Sequence, residues 1–267
     1  MTPFICKTCG TQFAETQAPP NECKICEDER QYVPPSGQEW TKLEQMRARH
    51  RNSFAQCEPG LFGIGTVPEF AIGQRALLLR TEDGNFLWDC ISLIDDATIE
   101  LIRALGGLRG ISISHPHYYS SMVEWSRAFN GAPIHLHADD REWVMRPDDA
   151  IDLWTGETKQ LAPGVTLVRC GGHFPGGIVL HWSGGAEGRG ALLIGDVIAV
   201  MPDRNVSFMY SYPNVIPLPA RVVQKIGATV EPLTFDRIYG AFWERVIQRD
   251  AKRAVARSVE RYVRALA

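Results

Sequence analysis

Nowhere in the 267 residues does an apolar run approach the ~20 needed for a membrane-spanning helix, so no such span is expected. The N-terminus, Met1-Thr2-Pro3-Phe4-Ile5-Cys6-Lys7, lacks a basic region leading into an apolar stretch. No secretory leader is therefore expected, and the default location is the cytoplasm. There is no excess of positive charge either. A formal net charge of -3 gives no general attraction to nucleic acid or to an anionic membrane surface, and neither is expected as a partner. Cysteine is not lacking, with seven in the chain. In a reducing compartment these read as thiols and metal ligands rather than as a disulfide framework. The remaining composition, 45% hydrophobic and 22% charged, is ordinary for a globular chain with room for one large domain and a small one.

The small one comes first. Cys6-Lys7-Thr8-Cys9-Gly10 and Cys23-Lys24-Ile25-Cys26 are two CxxC knuckles with thirteen residues between them. Cys6, Cys9, Cys23 and Cys26 supply four thiolates, a set suited to a closed tetrahedral site for zinc or iron. Gly10 allows a tight turn that brings backbone N–H groups to the sulfurs. The competing reading, four unrelated free thiols, fits poorly with paired spacing in so short a segment. Few large apolar residues are present, so a metal would supply much of this segment's folding free energy. Closed four-sulfur sites are usually structural, so the motif says little about activity. Its acidic residues (Glu15, Glu22, Glu27, Asp28, Glu29) suit docking against the larger domain or a protein partner better than nucleic acid. Pro34-Pro35-Ser36-Gly37 marks a boundary. Residues 1–37 are read as the knuckle, 38–60 as a linker with a short charged helix from Trp40 to about Arg51, and 61–267 as the main domain.

In the main domain, strands are expected at Leu61–Thr66, Ala71–Leu79 and Asn85–Cys90, the last two joined by a turn at Thr81-Glu82-Asp83-Gly84-Asn85. A helix is expected over Asp96–Leu105, stopped by Gly106-Gly107. A further strand carries His115 and His117, then comes a helix over Ser120–Phe129 and a strand at Pro133–His137. Strand signals recur at Val165–Arg169, Gly177–Trp182 and Ala191–Ile194. A terminal amphipathic helix is expected from about Arg245.

Candidate ligands sit at the strand ends. Two histidines one residue apart, as in Ser114-His115-Pro116-His117, point the same way on an extended strand and can share a metal. Taken alone, such a pair is as easily explained by hydrogen bonding within a loop. Gly171-Gly172-His173-Phe174-Pro175-Gly176-Gly177 puts a third histidine on a glycine-rich turn, and Gly195-Asp196 presents a carboxylate after an apolar strand. Three neutral imidazoles with an open fourth position are a common ligand set for a hydrolytic zinc. His135-Leu136-His137-Ala138-Asp139-Asp140 is a second H-x-H-x-D string, on the next strand. His50 and His181 read as structural, and Cys57, Cys90 and Cys170 as buried thiols.

From about Leu61 to the C-terminus the chain resembles the metallo-β-lactamase superfamily, whose signature is H-x-H-x-D-H, then G-H, then G-D, then a late histidine. His115, His117, His173 and Gly195-Asp196 match that pattern, whereas His135 and His137 fall where the family order has no ligands. The resemblance implies an α/β fold, an αββα sandwich, here preceded by a rubredoxin-like knuckle. It also implies a metal at His115, His117 and His173, with Asp196 as an extra ligand or orienting the bound water. Tyr119 and Ser120 stand in place of the signature's aspartate and histidine, and Ala241 in place of the late histidine. The second metal position thus keeps only Asp196, and two-metal chemistry, with ions ~3.5–4 Å apart, is not expected. Tyr119 could orient water through its hydroxyl, bind metal as phenolate, or fill the vacated space.

Three functions follow. The first is a zinc-dependent hydrolase with a single catalytic centre, acting on a small ester, thioester, amide or phosphoester. The second is a non-catalytic metal-binding or regulatory protein on the same fold. The third is a redox protein with a rubredoxin-like iron beside a mononuclear iron. Tyr118, Tyr210, Tyr212 and Trp243 are candidate pocket-lining residues.

Overall fold

The computed structural model describes residues 1–267. Strands β1 (Thr2–Cys6), β2 (Gln12–Thr16) and β3 (Trp40–Thr41) form a small antiparallel sheet in the order β2-β1-β3, and a one-turn helix, Lys24–Glu27, carries Cys26. This segment builds no core of its own. Its four cysteines and Ile25 share one apolar cluster with Tyr119, Trp125 and Phe174 of the main body. Main-chain bonds from Gln12 to Ser120 and from Ala14 to Met145, both 3.0 Å, stitch the two together.

Residues 38–60, expected as a linker, are built into the sheets instead. β3 pairs with β1, a helix spans Leu43–Arg49, and β4 (Arg51–Glu58) pairs antiparallel with β5 (Leu61–Val67). β4 is an edge strand with little buried surface, so it needs no alternating apolar pattern and gives no such signal in the sequence.

The first large sheet continues with β6 (Ala76–Thr81), β7 (Gly84–Trp88), β8 (Gly110–Ser112), β9 (Ile134–His137) and β10 (Ile151–Trp154), in the order β10-β9-β8-β7-β6-β5-β4. Pairing is parallel from β7 to β10 and antiparallel from β4 to β7. The second sheet starts with β11 (Thr158–Ala162), β12 (Val165–Arg169), β13 (Ile178–Trp182) and β14 (Ala191–Leu193). Two short hairpins follow, β15 (Ala199–Val200) with β16 (Val206–Ser207) and β17 (Met209–Ser211) with β18 (Ile216–Pro217). β19 (Arg237–Tyr239) and β20 (Val246–Ile247) complete the sheet, in the order β11-β12-β13-β14-β19-β20.

β6 shows how the layers are specified. Its unbroken Ala76-Leu77-Leu78-Leu79 run is buried on both faces. Leu77 and Leu79 meet Leu167, Leu180 and Leu193 between the sheets. Ala76 and Leu78 face the other way, towards Ile102 and Val123 of the helices Asp96–Ala104 and Met122–Ala128. Beyond the second sheet, Val223 and Ile226 of helix Ala220–Val230 and Val255 of helix Ala251–Leu266 pack on Leu192 and Ile238. The result is the expected helix–sheet–sheet–helix sandwich. Truncating a side chain as buried as Leu78 to alanine costs about 2–5 kcal/mol.

Local differences have local causes. The strand expected from Ala71 begins at Ala76, because Ala71 (φ 55) and Gly73 (φ 78) turn the chain first. The terminal helix begins at Ala251 rather than near Arg245, since Val246 and Ile247 pair with Tyr239 and Ile238 as β20. Helix Ala220–Val230, not foreseen from the sequence, buries Val223, Ile226 and Val230 at helical spacing. No helix is long and apolar enough to cross a membrane.

Candidate metal centre

The cysteine cluster closes as its spacing implies. Cys6, Cys9, Cys23 and Cys26 are all buried, with Sγ–Sγ distances of 3.6 Å for Cys6–Cys26 and for Cys9–Cys23. Four sulfurs at ~2.3 Å from one tetrahedral ion lie about 3.8 Å apart, whereas a disulfide would need ~2.05 Å. The set fits a metal. Gln38 Nε2 donates to Cys6 Sγ at 3.1 Å, the kind of outer bond that orients a thiolate ligand. Burial pushes the Cys9 thiol well above its ordinary value, so a cation is what would hold this group as thiolate. The knuckle also fits tightly against the main body. Gly10 passes so close to Ser92 that a Cβ there would lie 2.5 Å from its Oγ, and that hydroxyl donates to the Gly10 carbonyl at 2.7 Å.

The histidines converge from two segments. β8 ends at Ser112, His115 continues extended, and Pro116–Tyr118 form a single 3-10 turn that carries His117. That turn, rather than the alternation of a strand, brings the first two rings to a 5.2 Å centroid separation. His173 comes from the loop between β12 and β13, its ring centroid 4.9 Å from each of the others. Ligand atoms of all three lie within 4.8 Å of one another, and His173 Nε2 is 3.2 Å from His117 Nδ1. Two imidazole nitrogens at ~2.0–2.1 Å from one tetrahedral ion lie about 3.3–3.4 Å apart, so the spacing fits a shared cation.

Hydrogen bonds on the far sides of the rings choose which nitrogens face inward. Ser114 Oγ meets His115 Nδ1 at 2.9 Å, leaving Nε2 buried without a partner. His173 Nδ1–H donates to the Tyr210 carbonyl at 2.8 Å, with the Met209 carbonyl at 3.2 Å, so its Nε2 keeps a free lone pair. Burial lowers the pKa of all three histidines, that of His173 to about 4. They are neutral near pH 7, as ligands must be.

Asp196 follows β14 and lies in the wall of a cavity of about 1190 Å³ that also exposes His117 and His173. It flanks the trio without belonging to the convergent group. Burial raises its carboxyl to about 6. The Gly-Asp step is itself forced. Gly195 has φ +50, and a Cβ there would lie 2.2 Å from Ser114 Oγ, the atom that engages His115.

Tyr119 does not face the histidines. It is buried in the apolar core, lines no part of the cavity, and the charge that acts on it is that of Asp140. Tyr118 takes the neighbouring position instead, with its ring 4.4 Å from that of His115 and its hydroxyl buried and unpartnered. One residue along a tight turn reverses which tyrosine faces the site, and no periodicity in the sequence encodes that. Of the four candidate lining residues, Tyr212 and Trp243 line the cavity, while Tyr118 and Tyr210 do not. Ala241 and Phe242 stand in the wall where the late histidine was sought.

The second H-x-H string is structural. His135 Nδ1 bonds the Asp152 carboxylate at 2.8 Å, and His137 Nε2 bonds the Gly156 carbonyl at 3.1 Å. Its final aspartate has a use the sequence did not suggest. Asp140 Oδ1 accepts the Gly176 N–H at 2.7 Å and so ties down the His173 loop. Three further contributors carry no signal in the sequence. Arg30 donates to the His173 carbonyl at 3.4 Å. Gly63 and Gly65 of β5 lie directly beneath the Trp243 ring, where a Cβ would come within 2.6 and 2.7 Å of it.

No family model matches the chain. Among curated proteins, it is 55% identical over 266 residues to the uncharacterized protein YmaE of Bacillus subtilis (strain 168), covering 98% of this chain and 96% of that one. Among solved structures, the DIM-1 metallo-β-lactamase superposes with a TM-score of 0.60 at 12% identity, covering 81% of this chain and 99% of that one. FIM-1 metallo-β-lactamase from Pseudomonas aeruginosa in its mono-zinc form superposes with a TM-score of 0.59 at 16% identity, covering 79% and 96%.

Proposed function

Because the chain belongs to the family of Bacillus subtilis YmaE and has the metallo-β-lactamase fold, we propose that it is a hydrolase with one divalent cation held by His115, His117 and His173. The observation that carries this reading is the convergence of three neutral imidazoles, two of which line a cavity large enough for a small-molecule substrate. A cation held there supplies Lewis acidity and brings the pKa of water down towards ~7.

The protein's own part is to fix donors and exclude alternatives. Ser114 and the Tyr210 carbonyl hold His115 and His173 by their Nδ1 atoms, which aims the Nε2 lone pairs inward. Phe174 packs against all three rings, with centroids 4.9–5.7 Å away, and denies them other rotamers. Asp196, beside the trio, accepts the proton that attacking water releases as it adds to a carbonyl or phosphoryl centre. With Ala241 in the cavity wall in place of a further ligand, the remaining space beside Asp196 belongs to the substrate. The FIM-1 structure in mono-zinc form is a precedent for one cation on this fold.

Zinc is the proposed occupant of both centres. A colourless protein with two zinc equivalents, one of them lost in His173→Ala, is the expected finding. Iron at either centre, found by elemental analysis and, at the cysteines, by thiolate-to-iron charge-transfer colour, contradicts the zinc assignment. The test of function is turnover of ester, thioester, amide and phosphoester panels, with activity removed by a chelator and in His115→Ala. A fully metal-loaded protein that turns over no member of the panels would falsify the hydrolase reading and leave a binding protein.

A further inference from the structure

Residues 28–31, just past the last cysteine of the knuckle, grip both segments that present His173. Arg30 is only 9% exposed. Asp28 holds its guanidinium at 2.6 and 2.9 Å, and Nη1 donates to the His173 carbonyl at 3.4 Å. The same guanidinium lies 4.0 Å from the centroid of Phe174, the residue that follows His173. On another side it lies 5.3 Å from the ring of Tyr210, whose carbonyl fixes the His173 tautomer. A separate tie runs to the loop after β17, where Asn214 Nδ2 donates to the carbonyls of Glu29 at 2.9 Å and Gln31 at 3.0 Å.

A buried cation beside a cation site would by itself oppose metal binding. Here Asp28 forms a fork-shaped pair with Arg30 and cancels most of that charge. What remains is orientation: a planar group set between the Asp28 carboxylate, the His173 carbonyl and the rings of Phe174, Tyr210 and Trp143.

We propose that Arg30 is a positioning residue through which the four-cysteine knuckle holds the His173 loop closed, so that the grip of the histidine trio on a divalent cation depends on the knuckle. This rests on the trio being a cation site. The order of loss is then fixed: damage to the knuckle loosens the histidine centre, whereas emptying the histidine centre leaves the knuckle intact.

Cobalt(II) titration of the full chain tests it, because the two centres absorb differently. Thiolate-bound cobalt gives sulfur-to-metal charge-transfer bands, and imidazole-bound cobalt gives only weak visible bands. The wild type is expected to take up two equivalents. Arg30→Ala should bind the second at least about tenfold more weakly, with the sulfur-to-cobalt band unchanged, and Arg30→Lys should recover most of the loss. Equal or tighter binding in Arg30→Ala overturns the proposal, since repulsion by the arginine would then dominate. Should Arg30→Ala also lose the sulfur band, Asn214→Ala decides, because it cuts the second tie at an exposed side chain without changing charge. About threefold weaker binding of the second equivalent supports the coupling, and no change overturns it. A wild type that takes up only one equivalent defeats the cation-site reading itself.

Discussion

The cysteine and histidine clusters are the same kind of object up to their last ligand. Both are buried groups of donors brought together from two distant segments, and both have spacings that suit one tetrahedral ion. The thiols fill all four positions and lie within a continuous apolar core. The imidazoles fill three, and two of their rings look into a cavity. A closed site has no free position for a guest, while an open one does. The two differ also in what orients the donors. Local knuckle turns and Gln38 serve the sulfurs. The histidines depend on Ser114, Tyr210 and residues contributed from far along the chain.

The sharpest way to break this comparison is to damage each cluster and ask what is lost. Cys9→Ser with Cys23→Ser should act on stability. A structural zinc supplies folding free energy outright, and a loss on the order of 5 kcal/mol would lower Tm by about 10–20 °C in a chain of this length. Calorimetry with metal analysis reads both, and an unchanged Tm after loss of the metal contradicts a structural role. His173→Ala should do the converse. Its expected signature is loss of the second zinc equivalent and a fall in kcat/KM of about 10³-fold or more, roughly 4 kcal/mol of transition-state stabilisation. Its Tm should fall less than that of the cysteine variant, since what it loses is the pair of Nδ1 contacts to the Tyr210 and Met209 carbonyls and the ring contacts with Phe174 and Tyr212. Equal effects of both variants on Tm and on turnover would erase the distinction.

How far this was legible in the sequence follows the same division. The cysteine site could be read entirely, because CxxC spacing is itself the geometry. The three histidines could be found by their pattern, and the layered core by runs such as Ala76–Leu79. The roles of Arg30 and Asp140 could not, nor could the placing of Tyr118 rather than Tyr119 beside His115. Each acts through a contact across 25 or more residues, or through one step of a 3-10 turn, and neither leaves a period in the chain. The polar edge strand β4 was hidden for the opposite reason, since so little of it is buried.

Asp140 gives the next prediction, on pH. Burial raises its carboxyl to about 7, opposed by the Gly176 N–H and the Arg30 charge. A folded-state value above the unfolded one means that the folded protein prefers the protonated acid. The stabilisation is therefore fully present below about pH 4 and is lost as pH rises through 7, at most about 4 kcal/mol. Asp140→Asn keeps an acceptor for Gly176 and cannot ionise. Its stability should fall less between pH 4 and 7 than that of wild type, in urea titrations at stepped pH. Parallel curves would show that Asp140 does not titrate in that window.

The smallest effect expected is at the rim of the open site, at Gly63. The Trp243 ring lies on β5 there and is also held by Arg75, whose guanidinium is 5.3 Å from the ring centroid and donates to the Trp243 carbonyl at 3.4 Å. A methyl group on Gly63 would press into the ring at 2.6–2.9 Å, and β5, paired on both edges, cannot retreat. The ring must swing instead, towards the cavity it lines. Gly63→Ala should therefore cost about 1–3 kcal/mol of stability by overpacking and raise KM more than it lowers kcat, with both metal equivalents retained. An unaltered KM would mean that Trp243 belongs to the wall without meeting the substrate, and the recognition surface would then lie on the opposite side, around Tyr212 and Gln31.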